Sequence, residues 1–296
     1  MATMRIPNAN WKVVVGLNLT LVAAVWGQTI GFQRESEVGV VTLPLKEEQK
    51  WVLFEGLDSC VSPDGKWIAF TEMDDAGGRF IAVGEVATGK KRRVEGIPGD
   101  NSYRPQWSPD GQTLTFDHFL VDDWVVGQVK VEGGGFRMLK GLPKKISSHA
   151  WAADGAWLLC QDMEGFFWVE VGDWDRPVVK AVPQPEKLEG LSSATKMVVS
   201  PDGKSALVAM EVAPGPEDEF PPTAIFHLHL ETGKIVRLSA KGVEVADPSW
   251  LPDGKSYLFS VFGEVPGIHQ AEAKPGSVSK RVMENAVQPS VATGIR

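Results

Sequence analysis

This sequence predicts an all-β protein, a six-bladed β-propeller of four-stranded blades, on three observations. A tetrapeptide turn recurs along the chain, similar strands flank every copy, and the two chain ends hold the parts of one further unit. The turn reads Ser62-Pro63-Asp64-Gly65, Ser108-Pro109-Asp110-Gly111 and Ser200-Pro201-Asp202-Gly203, with weakened copies Ala152-Ala153-Asp154-Gly155 and Leu251-Pro252-Asp253-Gly254. Its aspartates stand 46, 44, 48 and 51 residues apart. A period of roughly 40–50 residues with four short strands per unit is the spacing of propeller blades.

The turn has a structural job in every copy. Proline presets its φ, aspartate accepts hydrogen bonds from the amides that follow, and glycine supplies the positive φ. The spaced carboxylates of a calcium loop are absent around it. Asp64, Asp110, Asp154, Asp202 and Asp253, each followed by its glycine (Gly65, Gly111, Gly155, Gly203, Gly254), are therefore hairpin residues and not ligands.

The strands follow in order. A first strand runs into the turn, as in Arg104-Pro105-Gln106-Trp107. A second leaves it at once, as in Trp67-Ile68-Ala69-Phe70 or Tyr257-Leu258-Phe259-Ser260. A third alternates with period two, clearest in Ile225-Phe226-His227-Leu228-His229-Leu230. It ends in a hairpin turn such as Glu231-Thr232-Gly233-Lys234, and Ile235-Val236-Arg237-Leu238 is a fourth. Five such units run from about Gly56 to Glu284. The chain ends form the sixth: Gln288-Pro289-Ser290-Val291 as its first strand, then residues 28–33, 38–43 and 49–54. Pairing of the N- and C-terminal strands would close the ring and remove its open edges.

Arg5 and Lys12 precede the apolar run Val13–Val25, and Val25 and Gly27 stand at the −3 and −1 positions of a cut before Gln28. This is the order of a signal peptide, which assigns residues 1–27 to export and 28–296 to one propeller. A retained membrane anchor is the competing reading, because 13–32 is long enough to span a bilayer. Either places the propeller outside the cytoplasm, periplasmic or secreted. Cys60 and Cys160 fall on strands of separate blades and should be free, packed thiols.

The net charge of −8, from 38 acidic and 30 basic residues, offers no basic face for nucleic acid. The acids concentrate in one loop class, between second and third strands and between blades, and include Asp74, Asp75, Asp122 and Asp123. Few bases offset them, chiefly Arg34 and Arg79, whereas lysines and arginines gather at the opposite turns. Such a face favours a cationic protein partner. The longest departure from the repeat, residues 213–222, carries Glu217, Asp218, Glu219 and Phe220 among prolines, a composition suited to a projecting recognition loop or to a tolerated insertion. His227 and His229 alternate on one strand and read as packing. His118 and His149, near Asp122, are the weak candidates for a metal site. Trp107, Trp151 and Trp250 share one repeat position and should pack between blades, while Trp124 and Trp174 lie close to loops, where the sequence leaves exposure and packing both open.

The Ser-Pro-Asp-Gly turns, preceded by Trp107, Trp151 or Trp250 and followed by a strand like Lys66-Trp67-Ile68-Ala69-Phe70, resemble the repeats of the TolB-type propeller family. The resemblance covers about 28–296, the propeller alone, without the N-terminal α/β domain of TolB. It implies an extracytoplasmic binding platform. Related repeats form the propeller of prolyl-oligopeptidase-type peptidases, whose hydrolase domain carries a Gly-x-Ser-x-Gly turn that this chain lacks. The reading is of a monomeric, non-enzymatic, cofactor-free binding or scaffold propeller that meets a protein partner, touching a membrane only through an uncleaved N-terminal segment. The alternative is a propeller enzyme, a metal-dependent hydrolase or lyase acting on a carbohydrate or lactone near the axial channel.

Overall fold

A computed structural model describes residues 27–46, 51–120, 123–142, 145–185, 188–193, 195–216 and 218–294. The proposed signal segment therefore lies outside the described residues, except for Gly27. Strands β1 (Gln28–Arg34), β2 (Glu37–Leu43) and β3 (Val52–Glu55) are three strands of the closing blade. The first blade follows with β4 (Leu57–Val61), β5 (Trp67–Met73), β6 (Arg79–Glu85) and β7 (Lys91–Arg93). The second holds β8 (Ser102–Trp107), β9 (Thr113–Leu120), β10 (Asp123–Lys130) and β11 (Arg137–Met138). The third holds β12 (Ser148–Trp151), β13 (Trp157–Gln161), β14 (Phe166–Glu170) and β15 (Val179–Ala181). The fourth holds β16 (Lys196–Val199), β17 (Ser205–Glu211), β18 (Thr223–His229) and β19 (Ile235–Arg237). The fifth holds β20 (Val245–Trp250), β21 (Ser256–Val261), β22 (Gly267–Glu272) and β23 (Lys280–Met283), and β24 (Val287–Val291) returns to pair antiparallel with β1.

All six sheets are four-stranded and antiparallel, and the closing one has the order β24-β1-β2-β3. The two chain ends thus close the ring, as the sequence predicts. Six apolar clusters fill the six contacts between neighbouring blades. Each is built by the inward residues of period-two strands, for example Phe54 of the closing blade against Ile68 and Phe70 of the first. Cohesion between blades is therefore mainly burial of apolar surface, at about 25 cal/mol for each Å² removed from water.

The repeated turns behave as read. Ser62 Oγ donates to Asp64 Oδ1 at 2.7 Å, the same oxygen accepts the Lys66 amide at 3.0 Å, and Gly65 has φ 72°. Ser108 with Asp110 and Ser200 with Asp202 repeat the contact at 2.6 Å. Where serine is lost, Asp154 and Asp253 still accept the amides of Ala156 and Lys255. Trp107 and Trp151 also pack as expected, their indole N–H groups donating to Cys60 O at 2.9 Å and Thr115 Oγ1 at 3.0 Å of the preceding blade. The structure decides the two tryptophans near loops. Trp174 is buried at 3% exposure with the Arg137 guanidinium over its ring, because the loop after β14 folds back against the second blade. Trp124 is half-buried, packed against Tyr103 and Phe119. Both cysteines are free thiols, and burial pushes Cys60 up to about 11 and Cys160 higher still.

Candidate functional site at the channel mouth

The first strands of all six blades line an axial channel of about 280 Å³. Pro63, Pro109 and Pro201 of the turns stand at one end, and charged residues stand at the other. Those charges come from a single repeat position, six residues before the turn aspartate: Asp58, Arg104, Ser148, Lys196 and Asp247, with Gln288 as the closing blade's equivalent. Four of them, Asp58, Arg104, Asp247 and Gln288, have left-handed φ near +53°, at 54°, 54°, 52° and 53°. Non-glycine residues seldom adopt this conformation, and here each coincides with a break in strand register, a β-bulge.

Side chains of neighbouring strands hold the bulges. Thr71 Oγ1 donates to Asp58 Oδ2 at 3.2 Å and accepts the Arg104 amide of the next blade at 3.2 Å. Ser260 Oγ repeats the device, donating to Asp247 Oδ2 at 2.7 Å and accepting the Gln288 amide at 2.9 Å. The Asp58 amide donates to Gln33 Oε1 at 3.0 Å. Ion pairs complete the rim: Lys196 Nζ lies 2.8 Å from Asp247 Oδ1, and Arg104 lies 3.8 Å from Asp117 and donates to Ser193 O. The mouth is consequently a ring of both signs, cross-linked by hydrogen bonds and ion pairs between blades.

His149 belongs to this wall, with Nε2 3.0 Å from Thr115 Oγ1 and Nδ1 3.4 Å from Asp117 Oδ1, longer than a normal hydrogen bond. His118 sits elsewhere, 2.8 Å from Ser102 Oγ with its ring against Phe116 and Phe136. Burial pushes its imidazole down, favouring the neutral form. The two rings bond to separate partners because successive residues of β9 point to opposite faces: His118 shares the face of Phe116, and Asp117 and Thr115 share the other. Among the described residues no group of three or more His, Cys, Asp or Glu is placed to hold a metal ion. His227 packs edge-on against Trp250 of the next blade.

The acidic loop residues do lie at this end, but fewer are free than loop class alone implies. Lys91 and Arg93, on the strand β7 that leaves an opposite turn, reach Glu72, Lys91 at 2.6 Å. Burial raises the Glu72 carboxyl, and the hydrogen bonds from Arg93 and Lys91 outweigh it, leaving it below the usual range. Lys145 pairs with Asp123 at 2.8 Å, and Asp74 accepts the amides of Ala76 and Gly78 of its own turn. Asp218 similarly accepts the Gly215 amide. Asp75, Glu219 and Phe220 are exposed, Phe220 at 74%, while Asp122 and Glu217 lie outside the described residues. Arg34 and Arg79 are stacked over Trp51 and Tyr103.

Sequence reasoning missed two features of this face. The ring at the bulge position was visible as Asp58, Arg104, Lys196 and Asp247 recurring six residues before the turn aspartate. The second is apolar: Met73, Met163, Phe220, Phe262 and Val265 are exposed at the ends of second strands or in second-to-third-strand loops of four blades.

No family model matches the chain. A 53-residue stretch is 42% identical to the Tol-Pal system protein TolB of Alcanivorax borkumensis, and 210 residues are 25% identical to the uncharacterized peptidase YuxL of Bacillus subtilis. The chain spans only 12% and 29% of the lengths of these curated relatives. In structure it is similar to TolB from Acinetobacter baumannii, with TM-score 0.67 at 16% identity over 93% of this chain and 69% of that one. It is also similar to oligogalacturonate lyase from Vibrio parahaemolyticus, with TM-score 0.55 at 14% identity over 83% and 75%. Repeat, ring closure and likeness agree on the fold: the chain is a six-bladed β-propeller, similar to the propeller of TolB.

Proposed function

We propose that this chain is an extracytoplasmic, non-enzymatic binding propeller that recognises a protein partner with the face around the channel mouth. The observation that carries the reading is the coincidence, on one face, of exposed apolar loop residues with a rigid ring of both charges. Apolar anchors surrounding fixed polar groups are the composition of a protein interface. The likeness to TolB propellers supports the same reading. The partner's complement is apolar side chains at the rim and a small polar segment over the mouth, with a cationic bias from Asp75 and Glu219.

The test is site-specific photocrosslinking in cells. Crosslinkers at Met163 and Phe220 are expected to trap one and the same protein, and one at Val278, exposed on the opposite end, is not. Equal crosslinking from all three positions, or none from the first two, overturns the proposal. N-terminal sequencing of the exported protein is expected to find Gln28 first.

One observation favours the enzyme reading. His149 and Asp117 stand side by side in the channel wall, a pairing from which an acid–base group can be built. Turnover of a carbohydrate or lactone that is lost in His149→Gln, with folding intact, would establish it in place of the binding role.

A further inference from the structure

On the face opposite the mouth, a cavity of about 490 Å³ opens between the third and fourth blades. Trp157, Trp168 and Lys180 line it from the third blade, and Asp202 and Gly203 of the repeated turn line it from the fourth, with Asp154 beside them. Strand register brings the first three together. Trp157 and Leu159 share one face of β13, Trp168 lies opposite Leu159 on β14, and Lys180 lies opposite Trp168 on β15. Leu159 and Trp168 pack on the fourth blade, so this face looks across the cleft. In the second, fourth and fifth blades the residues matching Trp157 are Thr113, Ser205 and Ser256; the first blade repeats it as Trp67 but has Val83 where Trp168 stands. The pairing of two indoles, Trp157 with Trp168, is thus particular to this blade contact.

Both indoles are half-buried, and the Lys180 ammonium lies 3.9 Å from the centre of the Trp157 ring. The two carboxylates are held by their turns through one oxygen each. Asp202 Oδ1 accepts Ser200 Oγ at 2.6 Å and the Lys204 amide at 3.0 Å, and Asp154 Oδ1 accepts the Ala156 amide at 2.9 Å. Among the described residues Oδ2 of each has no protein partner. Rigid aromatic faces, two fixed acceptors and one donor therefore converge on a single cleft.

We propose that this cleft binds neutral pyranose units of a glycan. The apolar C–H face of a pyranose ring packs on the indole of Trp168, the one that Lys180 does not cover, its hydroxyls donate to the free carboxylate oxygens, and the ammonium donates to a ring or hydroxyl oxygen. Charge selects the class of sugar. The lining carries two carboxylates and one ammonium, with the Lys204 charge also felt at Asp202, so it offers no net attraction to uronic or sulfated units. Lys180 already covers the indole face that a basic peptide side chain would take, so a neutral ligand fits better than a cationic one.

The purified full chain is titrated with cellotriose, maltotriose and chitotriose, with a hyaluronan tetrasaccharide and trilysine as charged comparisons, following tryptophan fluorescence and saturation-transfer NMR. At least one neutral trisaccharide is expected to bind saturably, and Trp168→Ala, Lys180→Ala and Asp202→Asn are each expected to weaken it about tenfold. Trp168 also packs against the fourth blade, so a misfolded Trp168→Ala leaves the decision to the two exposed variants. Binding of none of the neutral sugars overturns the proposal, as does binding unchanged in both Lys180→Ala and Asp202→Asn, or binding of trilysine or the anionic sugar alone.

Discussion

Lys196 Nζ lies 2.8 Å from Asp247 Oδ1 and so ties the first strand of the fourth blade to that of the fifth, at the mouth of the channel. Asp247 in turn accepts Ser260 Oγ, which accepts the Gln288 amide of the closing blade. One carboxylate thereby links three consecutive blades. Lys196→Ala leaves this nearly buried carboxylate without its cation and is expected to cost about 1–3 kcal/mol, below the range for fully buried pairs because Lys196 keeps some solvent. Asp247→Asn in that background should recover part of the loss. Urea unfolding of the two variants checks both.

Gly84 faces the ring of Phe54 across the contact between the closing and first blades. A Cβ at Gly84 would lie 2.5 Å from Phe54 Cζ, in a ring that also stacks on Phe70 at 5.7 Å. Gly84→Ala is expected to cost about 1–3 kcal/mol through overpacking, and Phe54→Leu should relieve it in part. Thermal unfolding of the single and double variants is the measurement.

The turn aspartates make stability depend on acid. The hydroxyl of Ser200, followed by the Lys204 amide, holds the Asp202 carboxyl below the usual aspartate range in the folded state. A carboxyl depressed on folding contributes stability at neutral pH and loses it as the pH falls through its folded-state value. Ser200→Ala removes the main cause, so the stability gap between wild type and variant should be full at pH 7 and shrink at acid pH. A gap that stays constant or widens on acidification would contradict this.

Removal of β24 takes away the strand that pairs with β1 and one sixth of the channel wall. Truncation after residue 286 should expose an unpaired edge, abolish cooperative unfolding and cause association visible by size-exclusion chromatography. Retention of a sharp monomeric transition would show that closure through β24 is dispensable.

The period of the turn aspartates and the alternation beside them were enough to read six blades, closure by the chain ends, packed tryptophans and free thiols. Such features are local or repeat-wide. A Pro-Asp-Gly turn needs only its own backbone, and an inward residue recurring at one offset must meet the same surroundings in every unit. What sequence could not resolve depends on contacts between units that differ. Lys91 and Arg93 reach Glu72 because long side chains cross a sheet. Trp174 is buried because a loop folds back, and His118 and His149 part company because β9 alternates its faces. The charged ring needed bulges at Asp58, Arg104, Asp247 and Gln288, and the Trp157–Trp168 cleft needed two adjacent blades. The repeat alone determines the scaffold, because hydrophobic periodicity and turn chemistry act within a unit. Only the closed ring decides which unrepeated side chains become neighbours, because those contacts join residues far apart in the chain.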